Sequence, residues 1–246
     1  MKNSVVTASY LIIGDEILSG RTQDKNLNFI AKGLVDVGIV LKEVRVVPDN
    51  ESEIIEAVNH LRKKYNYLFT TGGIGPTHDD ITSAAIAKAF DDELVKNKEA
   101  EEILIYHYGE GNVNEARLKM AYIPSRGKLL DNPVSSAPGF IVENVIVMAG
   151  VPQIMQSMFN IAKKSLIGGD KIISKEIKTL MVESQIAKEL TDLQNKFDDI
   201  AIGSYPYQGG TTLVFRSINL HKLDDCVNQM VNIINSKNKN SIIEIN

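Results

Sequence analysis

A single cysteine, Cys226, is all the thiol chemistry this chain possesses. That excludes a disulfide framework, a cysteine-based zinc site and a redox pair. The four histidines, His60, His78, His107 and His221, show no paired ligand spacing. A surplus of positive charge is missing too. The formal net charge is −4, which argues against a nucleic-acid binder working through bulk charge, because no cations are left over to neutralise phosphates. A small local basic pocket remains open. No stretch is long and apolar enough for a signal segment or a membrane span. The opening Met1-Lys2-Asn3-Ser4 soon meets Thr7, Ser9 and Tyr10, then Gly14-Asp15-Glu16. A cytoplasmic protein without a membrane partner is the expectation. Internal repeats and low-complexity linkers are also lacking.

What is present is an ordinary globular composition, 43% hydrophobic and 24% charged. The 246 residues are long for one domain and comfortable for two. Such a chain buries a full core without metal or disulfide staples. Residues 5–13 are rich in β-branched and apolar side chains and predict a central strand. The run ends in a loop, Gly14-Asp15-Glu16-Ile17-Leu18-Ser19-Gly20. Asp24 then precedes Leu27, Ile30, Ala31, Leu34 and Val35, a helical spacing with a cap before it and Gly38 after it. A second strand over residues 39–47 ends at Pro48-Asp49-Asn50. Ser52 or Asn50 caps the next helix, whose stripe is Ile54, Ile55, Val58 and Leu61. Residues 67–69 make a third, short strand.

That strand empties into Thr70-Thr71-Gly72-Gly73-Ile74-Gly75-Pro76-Thr77-His78-Asp79-Asp80-Ile81-Thr82, followed by a helical run over 81–90. Three glycines in four positions turn the backbone tightly and leave no Cβ to block a ligand. Strand, glycine loop and helix start together suit an anion, since the first helical N–H groups have no partners. The aspartates need a further element. A carboxylate beside a phosphate is repulsive unless a hard divalent cation lies between them. Helix capping by Asp79 or Asp80 is the alternative, and it stands open at this point. The loop is neither a Walker A motif nor G-x-G-x-x-G.

Strands alternating with helices predict a three-layer, mostly parallel sheet with helices on both faces. Ligands of such sheets bind beyond the carboxyl ends of the strands. Three of those ends carry acids here: Asp15 and Glu16, then Asp49, then Asp79 and Asp80. Residues 96–121 read as polar helix, with Arg117 and Lys119 as solvated basic residues or phosphate contacts. Ser135-Ser136-Ala137-Pro138-Gly139-Phe140 makes a loop able to approach a ligand closely. Residues 140–142 and 145–148 predict a hairpin across Glu143-Asn144. Pro152 opens a helix with the stripe Ile154, Met155, Met158 and Phe159.

The pattern changes at Gly168-Gly169-Asp170, placing domains at 1–167 and 168–246. The second reads β-α-β-β-α, with Ser184 capping its first helix, a loop through Tyr205-Pro206-Tyr207-Gln208-Gly209-Gly210, and an Asn/Lys-rich tail expected to fray.

These motifs, together with Asp24-Lys25-Asn26, Asn132-Pro133 and Gly150-Val151-Pro152, occur in one order. That order resembles the MoaB/Mog-type molybdopterin-binding domain, in the form found at the N-terminus of the competence/damage-inducible CinA proteins. The likeness runs over about residues 5–158. Residues 171–234, with Ile202-Gly203-Ser204-Tyr205-Pro206, resemble the small KH-like middle domain of CinA. The family's C-terminal deamidase domain has no counterpart in the sequence, so its activity is expected to be absent.

The resemblance implies that Asp49 and Asp80 are catalytic, matching two aspartates that assist adenylyl transfer to molybdopterin in Mog/MoaB relatives. Those relatives carry arginine where this chain has Asp79, which favours the CinA-like branch and its metal-dependent cleavage of ADP-ribose-like nucleotides. A divalent ion (Mg²⁺, Mn²⁺ or Co²⁺) would be held by Asp80, Asp79 and Glu16. Gly14, Asp15, Asn26, Thr71, Gly72, Gly73, Gly75, Thr77, Ser135, Ser136, Pro138 and Gly139 form the implied set for binding a nucleotide or pterin. Molybdopterin is the alternative ligand. A homo-oligomer is expected. RNA binding by the KH-like segment is not, because Gln208-Gly209-Gly210-Thr211 lacks the Gly-X-X-Gly loop.

Overall fold

The structure, a computed structural model, describes residues 5–246. It divides into two compact units, Met1–Gly169 and Asp170–Asn246. The first begins β1 (Val6–Ile13), α1 (Asp15–Leu18), α2 (Asn26–Asp36), β2 (Ile39–Val47), α3 (Glu51–Lys64), β3 (Tyr67–Thr71) and α4 (Thr82–Ala89). It continues β4 (Leu94–Lys96), α5 (Lys98–Tyr108), α6 (Glu115–Lys119), β5 (Tyr122–Pro124), β6 (Lys128–Leu130), β7 (Gly139–Val142), β8 (Val145–Met148) and α7 (Pro152–Ala162).

The main sheet has the order β2-β1-β3-β8-β7-β6. Its first four strands are parallel, and the β6-β7-β8 end is antiparallel. Successive side chains of β1 point to opposite faces, and both faces are covered. Leu11 and Ile13 pack with Ile54, Val58 and Leu61 of α3 and Ile86 of α4. Tyr10 and Ile12 pack with Ile30 and Leu34 of α2 and Met155 and Phe159 of α7. Each fully buried aliphatic side chain contributes about 1.5–3 kcal/mol by leaving water. This two-sided burial explains why β1 reads as one apolar run.

Helix entries follow local chemistry. The Asp24 carboxylate accepts from the Leu27 amide at 2.8 Å, and the Asn50 side chain from that of Glu53 at 3.3 Å. Some expectations change. The acidic loop after β1 winds into the short α1. Val35 is 50% exposed, so the buried stripe of α2 runs through Ile30, Gly33 and Leu34 instead. The stretch 96–121 is not one helix: Lys96 lies in β4, which pairs with β5. The helix stops at Gly109, φ +81°, and α6 restarts after Asn114, whose side chain accepts from the Arg117 amide.

The second unit comprises β9 (Ile173–Thr179), α8 (Ala187–Lys196), β10 (Ala201–Tyr207), β11 (Gly210–Ser217), α9 (Leu220–Lys237) and β12 (Ile242–Ile245). Its sheet has the order β10-β11-β9-β12. Ile177, Leu213 and Phe215 pack against Leu193, Val227, Met230 and Ile234. Tyr205, Pro206 and Tyr207, expected in a loop, belong to β10. That strand is an edge, where proline costs no ladder bond. Ser184 caps nothing; it sits in a 3₁₀ turn before α8. The tail expected to fray instead pairs with β9, and the buried Ser241 carbonyl accepts from the Thr179 hydroxyl at 3.0 Å. Among the described residues no helix is long and apolar enough to cross a membrane.

Candidate functional site

The site begins where β3 stops. Gly72 has φ +101°, and a Cβ there would stand 2.0 Å from the Ile13 carbonyl oxygen. No other residue fits at that junction of β1 and β3. Gly75 packs against the same turn: a Cβ on it would lie 2.7 Å from Asp80 Oδ2 and push that carboxylate aside. The loop closes on that oxygen. The Thr77 amide donates to it at 2.7 Å and the Thr77 hydroxyl at 2.5 Å. Lys119 Nζ donates to the Thr77 carbonyl, tying α6 to the loop. The first turn of α4 has no side-chain cap. The capping alternative for Asp79 and Asp80 therefore gives way: Asp80 fastens the turn before the helix, and the first helical amide, that of Thr82, donates to the Gly73 carbonyl at 2.9 Å.

The acids converge. The Asp15 amide donates to Asp49 Oδ2 at 3.0 Å, joining the ends of β1 and β2. Burial pushes the Asp49 carboxyl above its ordinary value; the Asp15 amide opposes this, and the charges of Asp15, Glu16 and Asp79 add to it. Carboxylates from the ends of β1, β2 and β3 thus share one field, with negative charge in excess. Their donors are all oxygen, the set a hard divalent cation prefers. Yet among the described residues no group of three or more His, Cys, Asp or Glu side chains is placed to hold a metal ion. The expected trio of Asp80, Asp79 and Glu16 is not assembled as a cage. The residues fit an ion that takes one or two carboxylates and fills its remaining positions from water and a bound phosphate.

A cleft of about 510 Å³ opens beside this edge. Six of the expected residues line it: Glu16, Gly72, Gly73, Gly75, Asp80 and Ser135. Others do not. Thr71 is buried, its hydroxyl 2.6 Å from that of Tyr10. Asn26 is buried and donates to the Gly150 carbonyl at 2.8 Å. Gly139 is closed off, because a Cβ on it would meet the Val147 carbonyl at 2.3 Å. Gly14 and Pro138 are buried as well. These five back the cleft rather than wall it. Asp15, Asp79 and Thr77 are exposed at the acidic edge. Ser136 adopts φ +58°, and its hydroxyl lies 3.0 Å from His107 Nδ1.

Sequence reasoning missed part of the wall. Tyr108 and Met120 line the cleft, although the polar segment that bears them carries no motif. The Arg117 guanidinium lies 4.1 Å over the Tyr108 ring, and the His107 ring meets it edge-on at 4.7 Å. Asn132, quoted only within a motif, shapes the rim: its side-chain amide donates to the Ser135 hydroxyl at 2.7 Å and the Ala137 carbonyl at 2.8 Å.

A parallel sheet sandwiched by helices, with a glycine-walled cleft past its strand ends, is the build of a small-molecule-binding α/β domain. The chain belongs to the MoCF biosynthesis family, described as "Probable molybdopterin binding domain", whose model matches residues 9–168. The second unit matches the FAD synthase middle domain over residues 171–241. A protein of Archaeoglobus fulgidus is 34% identical, over 92% of this chain and 96% of its own length. A "Probable FAD synthase" of Caenorhabditis elegans is 33% identical over 81% of this chain and 44% of its own length. A competence-damage inducible protein of Clostridium botulinum is 33% identical over 84% and 53%. The chain thus spans about half the length of these last two relatives. Among solved structures, CinA of Thermoplasma acidophilum superposes with a TM-score of 0.62 at 33% identity, covering 65% of this chain and 97% of that one. The MoaB/Mog-type, CinA-like resemblance read from the motifs is borne out.

Proposed function

We propose that the cleft hydrolyses the pyrophosphate of an ADP-ribose-like nucleotide with the help of a divalent cation. One observation carries the reading: the carboxylates of Glu16 and Asp80 line the same cleft as Gly72, Gly73 and Gly75 of the loop. The amides suit phosphate oxygens, and the acids suit the cation that phosphate would bring. Asp80 and Glu16, both on the cleft wall, would hold that ion, with Asp79 and Asp49 adding to the field. The ion would supply charge neutralisation and polarise a water.

The chain's own residues do the rest. The amides of Gly73 and Gly75 would stabilise charge growing on the phosphoryl oxygens, each well-placed donor being worth roughly 2.7–4 kcal/mol in comparable sites; the Gly72 amide, expected to join them, instead donates to the Met148 carbonyl at 3.3 Å. Thr77 fixes the Asp80 carboxylate. Ser135, held by Asn132, positions the substrate at the opposite rim. A water oxygen bonds to one phosphorus, the bridging P–O bond breaks, and a proton leaves to solvent. ADP-ribose would give AMP and ribose 5-phosphate.

The test is a screen of ADP-ribose, FAD, NAD, and molybdopterin with ATP, each against Mg²⁺, Mn²⁺ and Co²⁺, with products separated by chromatography. FAD is included because one relative is named as a FAD synthase. Absence of product from every nucleotide would refute the hydrolase reading. The family description favours a second reading, a pterin- or nucleotide-binding module without turnover. Tight binding with no product over hours would establish it.

A further inference from the structure

Helices α2 and α7 run side by side in the same direction. At one end Asn26 holds the Gly150 carbonyl; at the other the Lys163 ammonium lies 3.4 Å from the Asp36 carboxylate. They approach closely at Gly33, where a Cβ would stand 2.4 Å from the Phe159 ring. Their inner faces belong to the core, where Ile30 and Leu34 pack with Met155 and Phe159. Their outer faces border a groove of about 570 Å³. Residues spaced by three, four or seven share one face of a helix. On α2 that face carries Lys25, Phe29 and Lys32; on α7 it carries Gln156, Asn160 and Lys163. The groove is therefore bordered by cations and amides around one half-buried ring, not by the apolar stripe that a further helix would need. Asp36 is the sole acid along it. The Asp36 side chain is 70% exposed, so its pair with Lys163 is weak. Asp24, next to Lys25 in sequence, is turned to the Leu27 amide at 2.8 Å. A local positive excess thus stands in a chain whose formal net charge is −4.

We propose that this groove is a second ligand site, binding a small soluble anion that bears more than one phosphate group. Lysine ammoniums act as point charges and meet phosphate oxygens from any direction, whereas paired recognition of a carboxylate calls for the arginine fork. Lys25 and Lys32 are two helical turns apart, about 10 Å along the axis, and Lys163 stands on the facing helix. One phosphate cannot serve all three cations. A run of phosphates, or phosphates at separate positions of one metabolite, can. The side-chain amides of Gln156 and Asn160 donate to the oxygens that the lysines leave over. The Phe29 ring, set edge-on to Phe159 at 6.0 Å, gives the rest of the ligand an apolar contact. The groove has the size of a small-molecule site. The acidic balance of the whole chain works against a long polyanion, which would reach beyond the lysines. None of these residues lines the glycine cleft, so the proposal does not rest on the hydrolase reading.

The probe is sodium tripolyphosphate, titrated without divalent ions into the isotopically labelled full chain and followed by NMR and calorimetry. Saturable binding is expected, with amide shifts along α2 and α7. Lys25→Gln and Lys32→Gln should each weaken it by about tenfold, the loss of one charge-assisted contact. Both lysines are exposed, so the melting temperature should not move, which shows that each variant is folded. Lys188→Gln, at an exposed position on α8, controls for bulk charge and should bind as the wild type does. Additional shifts at the glycine loop are compatible with the proposal, provided that the variants lose those along α2 and α7. Four results would overturn it: no saturable binding, shifts confined to the glycine loop, groove variants that bind normally, or an equal loss in Lys188→Gln. Tighter binding of a short oligothymidylate or of phosphatidylserine vesicles than of tripolyphosphate would overturn the small soluble ligand.

Discussion

Replacing Asp80 by Asn separates chemistry from scaffolding at the centre of the site. The native carboxylate accepts two hydrogen bonds from Thr77 on one oxygen. Asparagine keeps one oxygen able to accept both, so the turn survives and only the charge assistance is lost. A charged acceptor is worth about 1 kcal/mol more per bond than a neutral one. Both bonds lie in a solvent-exposed loop, which reduces that figure. The total cost is then about 1–2 kcal/mol, or a fall in melting temperature of roughly 2–8 °C for a domain of this size. Relief of repulsion among the neighbouring acids offsets part of it. Activity behaves differently. Asp80 lines the cleft beside the glycines of the loop, and losing its charge should cut ADP-ribose hydrolysis by at least about 100-fold, the upper range for altering a metal's supporting groups. The assay is AMP release by chromatography beside a thermal melt of the same sample. Hydrolysis at the wild-type rate would remove Asp80 from the mechanism. A drop in melting temperature beyond about 15 °C would mean that the carboxylate is chiefly structural.

Other perturbations test other parts of the argument. Asp49→Asn should raise the melting temperature at neutral pH. The fold raises the proton affinity of Asp49, so its charged form opposes folding. The native contribution is fully present below the ordinary carboxylate value of about 3.9 and is lost as pH rises through the higher folded value. The variant's advantage should therefore vanish on acidification, and a melt series across pH reads this directly. Mg²⁺ should stabilise the wild type against heat, and stabilise the Asp80→Asn variant less, because a ligand that binds the folded state raises its melting temperature; equal shifts would deny Asp80 a part in holding the ion. Tyr108→Ala should weaken nucleotide binding by about tenfold, within the 1–3 kcal/mol typical of base stacking, while Tyr108→Phe should not, as titration calorimetry would reveal. Gly72→Val should lower the melting temperature more than any of these, because its φ of +101° and the Ile13 carbonyl 2.0 Å from the added Cβ both oppose it; a normal melt would overturn that geometry.

Local chemistry alone determined a good deal. The β1 run, the Asp24 and Asn50 caps, Gly38 after α2 and the hairpin around Glu143 are encoded within a few residues of where they act, so they can be read from the sequence. The same holds for the glycine loop, whose backbone demands are met by residue type at each position. Even the shared edge of Asp15, Asp49 and Asp79 was legible, since parallel strands joined by helices must present their carboxyl ends on one edge. Tertiary packing decided the rest. Val35 fits the helical stripe as well as Leu34 does, and only the position of α7 makes one buried and the other exposed. Thr71, Asn26 and Gly139 stand in motifs beside true wall residues, but Tyr10, Gly150 and Val147 close over them. Tyr108 and Met120 reach the cleft because Gly109 ends α5 and α6 folds back. Which side chain faces a ligand depends on distances between segments far apart in the chain, and no local spacing records those.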